Sequence, residues 1–240
     1  MRFKVLLSLL FAFLFAGAVH AQAIVSPPPT PAADPENTWL LDLSTGGRVA
    51  VQLRPDVAPK MVERVKLLTR RGFYDGLSFH RVIEGFMAQG GDPKGNGTGG
   101  SDLPDIAAEF NGLPHVRGAV AAARAESPDS ANSQFYIMLA PKLTLDGHYT
   151  VFGRVISGMN FVDAINRGEP PAEPTTILQA SIAADNRPMP APRAAQAAPT
   201  HAPGGALPQG QAHAAGPAVP PPPSIRLPDP PKPRPRKRDE

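Results

Sequence analysis

Two stretches of the chain concentrate side chains that could act on a ligand. One is Phe79-His80-Arg81-Val82-Ile83-Glu84-Gly85-Phe86-Met87-Ala88-Gln89-Gly90-Gly91-Asp92; the other is Asn132-Ser133-Gln134-Phe135-Tyr136-Ile137, followed by Leu145-Asp146-Gly147. In extended chain, alternation puts Met87 and Gln89 on one face, and Gln134 and Tyr136 on another. Each pair sets an apolar group beside an amide, and a buried amide needs hydrogen-bond partners. If the two faces converge with Arg81 at the rim, they form a shallow apolar pocket with a few directed donors, which is the composition of a ligand site. Each residue also has a plainer use: Phe86, Met87, Tyr136 and Leu145 as core, Arg81 as a surface charge. Pattern alone does not separate the two.

Other chemistries fall away on spacing. The glycine-rich run from Gly90 to Gly100 suggests a phosphate loop, but such a loop must open directly into a helix whose N-terminus holds the anion. Here it runs into Ser-Asp-Leu-Pro without a Gly-Lys-Ser/Thr ending, so a tight surface loop is expected. Asn96-Gly97-Thr98 has the form of a glycosylation acceptor, a triplet too common to carry weight. His80, His115, His148, His201 and His213 show no metal-ligand spacing, and there is no Gly-x-Ser-x-Gly elbow. His80 is read as a buried structural histidine rather than a base. The absence of cysteine excludes a disulfide scaffold, a thiol nucleophile and a zinc ribbon.

The elements that must position these residues read as mainly β. Thr38 to Leu43 and Arg48 to Leu53 alternate around Ser44-Thr45-Gly46-Gly47, which predicts a hairpin. Asp56 ahead of Ala58-Pro59, then Met61, Val62, Val65 and Leu68 up to Gly72, predicts an amphipathic helix capped at both ends. Short apolar runs follow at 77–83, 86–89, 118–123, 134–139, 150–155 and 176–182, with a second helix over 158–166. Many short strands between close turns favour a sandwich or barrel over alternating βαβ units.

The chain has 240 residues and 31 prolines; 16 of those lie in the last 55 residues, 5 between Pro27 and Pro35, and only 10 in residues 38–184. Residues 1–23 (a basic start, an apolar run, Ala21 and Ala23) read as a signal peptide cut after Ala21 or Ala23; a retained anchor would need a longer apolar span. Residues 24–37 read as an extended, solvated Pro-rich linker, residues 38–184 as the single domain, and residues 185–240 as a disordered Pro/Ala-rich tail with a basic end. The net charge of +3 belongs to the flanks: residues 24–185 hold 14 Lys/Arg against 18 Asp/Glu. A domain at −4 is not expected to bind nucleic acid. The basic tail end could make weak contact with anionic envelope surfaces, or could simply be solvated.

The two stretches, with Gly97-Thr98-Gly99-Gly100 and Leu145-Asp146-Gly147, resemble the cyclophilin family of peptidyl-prolyl cis-trans isomerases, in a bacterial, exported form, across residues 38–182. The resemblance implies a closed eight-stranded antiparallel β-barrel capped by two α-helices. It implies Arg81 as the catalytic residue, and Phe86, Met87, Gln89, Ala123, Arg124, Gln134, Tyr136, Leu145 and Tyr149 as the substrate-binding set. It implies no cofactor and no metal. The partners would be proline-containing segments of unfolded or exported proteins, met by a monomer in the periplasm or outside the cell; a proline-peptide-binding chaperone module with little catalysis is the alternative. Tyr136 stands where a phenylalanine is usual in the family. Thr144 and Tyr149 stand where eukaryotic members carry tryptophan and histidine.

Overall fold

The computed structural model describes residues 27, 29, 30, 32 and 34–190. The expected signal peptide, part of the linker and the tail beyond residue 190 lie outside the described residues.

β1 (Thr38–Leu43) and β2 (Gly47–Leu53) form the expected hairpin, in register from Thr38 opposite Gln52 to Leu43 opposite Gly47. After α1 (Pro59–Arg70) come β3 (Arg81–Ile83), β4 (Met87–Gly90), β5 (Ala119–Ala122), β6 (Phe135–Met138), β7 (Val151–Ser157), α2 (Met159–Asp163) and β8 (Ile177–Ile182). Every strand overlaps a run expected from the sequence. All pairings are antiparallel, and one curled sheet runs in the order β3-β4-β6-β5-β7-β2-β1-β8. The edge strands are β3 and β8. Phe79 N–H donates to the Thr175 carbonyl (2.9 Å) and Ile177 N–H to the Leu77 carbonyl (2.8 Å), so the chain before β3 is tied to the start of β8. The long run 77–83 therefore enters the ladder only at Arg81.

Burial follows from alternation. Trp39, Leu41 and Leu43 of β1 and Val49, Val51 and Leu53 of β2 point into one core, which α1 covers with Met61, Val62, Val65 and Leu68. Aromatic rings knit its centre: Trp39 meets Phe135 at 4.9 Å and Tyr74 at 5.3 Å between centroids, both edge-on, the arrangement that ring quadrupoles favour.

Two helix termini differ from expectation. Asp56 does not cap α1; its carboxylate is taken by the buried Arg54 guanidinium (2.8 and 2.7 Å). The free N–H groups of Lys60 and Met61 instead donate to the Glu109 carboxylate, both at 3.0 Å, from a loop 49 residues away in the chain. The C-terminal end is closed as expected, with Gly72 N–H bonded to the Thr69 carbonyl. The second helix is shorter than 158–166 because Asn166 is pulled out of it: its N–H donates to Thr175 Oγ1 (3.1 Å) and its amide to the Glu173 carbonyl (2.7 Å). α2 is preceded by Gly158 at its N-cap, whose φ is 81° and where a Cβ would lie 2.3 Å from the Arg48 carbonyl oxygen; only glycine fits.

The flanks are less free than composition suggests. Pro35–Asn37 forms a 3-10 turn capped by the Asp34 side chain. Arg54 and Gln52 of the sheet donate to the carbonyls of Pro29 (3.1 Å) and Ala32 (3.3 Å). After β8, Arg187 donates back to the Ala180 carbonyl (3.1 Å), and Gln179 donates to the Pro188 carbonyl (3.0 Å). Polyproline backbone keeps its carbonyls unpaired, which makes it a ready acceptor for side chains at a sheet margin.

Replacing Glu109 by alanine is expected to cost about 1 kcal/mol, the usual size of a lost helix cap. Urea unfolding of Glu109→Ala measures it; an unchanged midpoint would contradict a capping role.

Candidate active site

The strands that face the aromatic core also build a second apolar cluster from their alternate residues. Ala88, Val120, Ala122, Phe135, Ile137 and Phe152 belong to the main core. Their neighbours Met87, Ala119, Ala121, Ala123, Tyr136, Met138 and Val151 pack together with Phe86, Leu145 and Tyr149 into the other cluster. A period of two permits nothing else: if Ala88 points one way, Met87 and Gln89 point the other. Its small members are three alanines, Ala119 and Ala121 of β5 and Ala123 just after it. Its large members include Phe86, from the turn between β3 and β4, Tyr136 from β6, Leu145 from a 3-10 turn (Leu143–Leu145), and Tyr149 just before β7.

At the edge of this cluster sits Arg81, opposite Gln89 in the β3–β4 register. It is 9% exposed, more sheltered than the rim position expected of it. Its Nε donates to Glu169 Oε2 at 2.7 Å, while Nη1 is buried without a hydrogen-bond partner. Anchoring one nitrogen of a planar guanidinium fixes the direction of the others, so the carboxylate aims the unpaired donor. Glu169 itself is half exposed, so the pair adds little to stability.

Gln89 and Gln134 do converge. Gln89 Nε2 donates to Gln134 Oε1 at 2.9 Å, and Gln134 Nε2 donates to the carbonyls of Gly99 (2.8 Å) and Gly97 (3.2 Å). Gln89 Oε1 is left buried and unpaired. The glycine-rich loop is thus pinned to the site by an amide. From within, it is held by Asp92, whose carboxylate accepts N–H bonds from Lys94, Asn96 and Gly97 at 2.8, 3.0 and 2.6 Å. Burial alone would raise the Asp92 pKa, but these backbone donors outweigh it and hold the carboxyl below its ordinary value. The loop is a carboxylate-centred turn, which accounts for its glycines without any phosphate.

Arg124 and Tyr149 form the remaining side. The Arg124 guanidinium lies 4.5 Å from the centroid of the Tyr149 ring and donates to the carbonyls of Ala125, Glu126 and His148. Burial raises the Tyr149 pKa, against the lowering pull of Arg124 and Arg81, so the phenol is neutral at physiological pH. His80 is buried, as expected, and neither of its ring nitrogens has a partner; burial pushes its pKa below 6.5.

All ten residues expected at the site therefore lie in or beside one cluster. Ala119, Ala121, Met138 and Val151 of the cluster carried no expectation, although a period of two extended from Ala123, Tyr136 and Tyr149 reaches them. Glu169 and His115 carry no sequence signal, because their partners Arg81 and Tyr136 lie 88 and 21 residues away along the chain.

The family model for cyclophilin type peptidyl-prolyl cis-trans isomerases matches residues 40–182. A probable peptidyl-prolyl cis-trans isomerase of Brucella suis is 47% identical over 197 residues, covering 75% of this chain and all of that protein. Peptidyl-prolyl cis-trans isomerase B of Bacillus subtilis is 43% identical over 128 residues, covering 53% of this chain and 89% of its own. Among solved structures, cyclophilin AquaCyp293 from Hirschia baltica superposes with a TM-score of 0.60 at 28% identity, covering 65% of this chain and 77% of that one. A Cryptosporidium parvum cyclophilin crystallised in the presence of the dipeptide Ala-Pro gives 0.57 at 27% identity, covering 60% and 98%. The chain belongs to the cyclophilin family. Its activity is peptidyl-prolyl cis-trans isomerisation.

Gln134 links the loop to the pocket, so Gln134→Ala strands a buried Gln89 amide and two glycine carbonyls. The expected loss is about 1–3 kcal/mol, with faster amide exchange at 97–100. Unchanged exchange there would contradict the link.

Proposed function

We propose that Arg81 is the catalytic residue and that the cluster of Phe86, Met87, Tyr136 and Leu145 holds the proline ring, with Gln89, Gln134, Ala123, Arg124 and Tyr149 flanking the bound peptide. The Xaa-Pro bond resists rotation because amide resonance gives it double-bond character, with a barrier of about 18–20 kcal/mol. Twisting it uncouples the nitrogen lone pair, which then becomes a hydrogen-bond acceptor. A protein that binds this twisted state better than either planar isomer lowers the barrier without covalent chemistry. The apolar walls grip the ring while the preceding carbonyl swings. Arg81, a permanent cation, donates to the pyramidal nitrogen and steers the carbonyl. Glu169 aims the guanidinium. The single observation that carries this assignment is the buried, unpaired Nη1 of Arg81 beside an apolar cluster on the outer face of the sheet. The similar cyclophilin crystallised in the presence of Ala-Pro supports a dipeptide of that kind as the minimal ligand here.

The substrates in this reading are exported proteins, met in the periplasm or outside the cell after removal of residues 1–23. Supporting it are the basic start and apolar run of those residues and a cysteine-free chain, which cannot form wrong disulfides in an oxidising compartment. Residues 24–37 serve as a spacer and residues 185–240 as a tail in weak contact with anionic envelope surfaces. The enzyme acts as a monomer, with the sheet closed into a barrel through the bonds between 76–79 and 175–177.

Magnetisation exchange on a short Ala-Pro peptide tests the assignment. Arg81→Ala should lower kcat/KM by about 10²-fold, the usual loss for a donor aimed at a transition state, and Arg81→Lys should recover only part of it. Equal rates for native and Arg81→Ala protein would remove Arg81 from catalysis; peptide binding without any acceleration would favour the chaperone-like binder.

A further inference from the structure

His115 is fully buried behind the proline pocket, and nothing in the isomerisation step uses it. Its backbone is clamped to the turn that carries Leu145: Lys142 N–H donates to the His115 carbonyl, and His115 N–H donates to Asp146 Oδ1, both at 2.8 Å. The same carboxylate oxygen lies 2.8 Å from His115 Nδ1. A carboxylate only accepts, so Nδ1 carries the proton and Nε2 is bare. Nε2 stands 3.0 Å from the Tyr136 hydroxyl, which must then donate to it. The two rings lie 19° from parallel, and Tyr149 meets both edge-on, at 6.0 Å from Tyr136 and 6.4 Å from His115. A phenylalanine at 136 would leave Nε2 buried and unpaired.

We propose that His115, oriented by Asp146, is a positioning residue for the proline pocket: through the Tyr136 hydroxyl it sets the tilt of the ring that forms one wall, and so makes peptide affinity depend on pH. The inference rests on the pocket assigned above. When His115 takes a second proton, Nε2 becomes a donor, the phenol rotates its hydrogen away to present a lone pair instead, and that hydrogen is left buried without an acceptor, which disfavours the present seat of the ring. Asp146 is the carboxylate facing the imidazole. Tyr136 and Tyr149 are the other titratable groups against it; both phenols are pushed up by burial and stay neutral throughout this range. Arg124, on Tyr149, is the neighbouring cation. Burial pushes His115 below its ordinary 6.5, against the opposing pull of Asp146, so the pocket is in its neutral arrangement at pH 7 and changes on acidification.

A neutral, end-blocked Ala-Pro peptide titrated from pH 7.5 to 5 by NMR tests this, with the nitrogen shifts of His115 followed in parallel. Native protein should lose affinity several-fold along the His115 titration, with the bare nitrogen at Nε2 above it. Tyr136→Phe should bind with an affinity flat in pH. That variant leaves His80, the other buried histidine beside Arg81, untouched and so separates the two. The same pH dependence in Tyr136→Phe, or a proton on Nε2 at pH 7.5, would overturn the inference. Pocket binding that is flat in pH in the native protein would overturn it alone, and no binding at any pH would remove the pocket assignment with it.

Discussion

A strand can turn its side chains to only two sides, and β4, β5, β6 and β7 together bury apolar residues on both. That is the constraint from which the site follows. A sheet with one wet face would alternate apolar with polar residues. Here Ala88 and Met87, Ile137 and Tyr136, Val120 and Ala121 fall alternately into the aromatic core and into the outer cluster. The inner residues stabilise the fold by burial. The outer ones form a cluster of small alanines among larger side chains, the surface proposed to receive the proline ring.

Placing donors at the edge of an apolar depression is costly unless their remaining atoms are satisfied. The chain meets that demand by a relay. Asp92 organises the glycine loop, the loop offers carbonyls to Gln134, Gln134 accepts from Gln89, and Gln89 stands opposite Arg81. Glu169 takes Nε from the other side. Within this relay two buried atoms stay unpaired, Arg81 Nη1 and Gln89 Oε1, one donor and one acceptor. A peptide backbone carries that complement.

The strands were legible because their period of two and their turn residues are local. The pocket's apolar walls were legible for the same reason, once Met87 with Gln89 and Gln134 with Tyr136 were seen to share faces; the family resemblance then singled out Arg81. Interactions set by tertiary placement were not legible. Glu109 caps α1 from a distant loop, displacing the local candidate Asp56 because Arg54 already claims that carboxylate. Glu169 reaches Arg81 from beyond α2. His115 looked like one of several scattered histidines, and only the turn at 142–146 brings Asp146 to its ring.

On the proposed reading the outer face of the sheet, and not the aromatic core or the margin near Arg54, receives the proline ring. Methyl NMR of protein labelled at methionine and alanine, titrated with an Ala-Pro peptide, tests it at single-residue resolution. Shifts are expected at Met87, Ala119, Ala121 and Ala123, with Ala88 and Ala122 on the opposite face nearly still. Shifts confined to the inward set, or to residues far from Arg81, would contradict it.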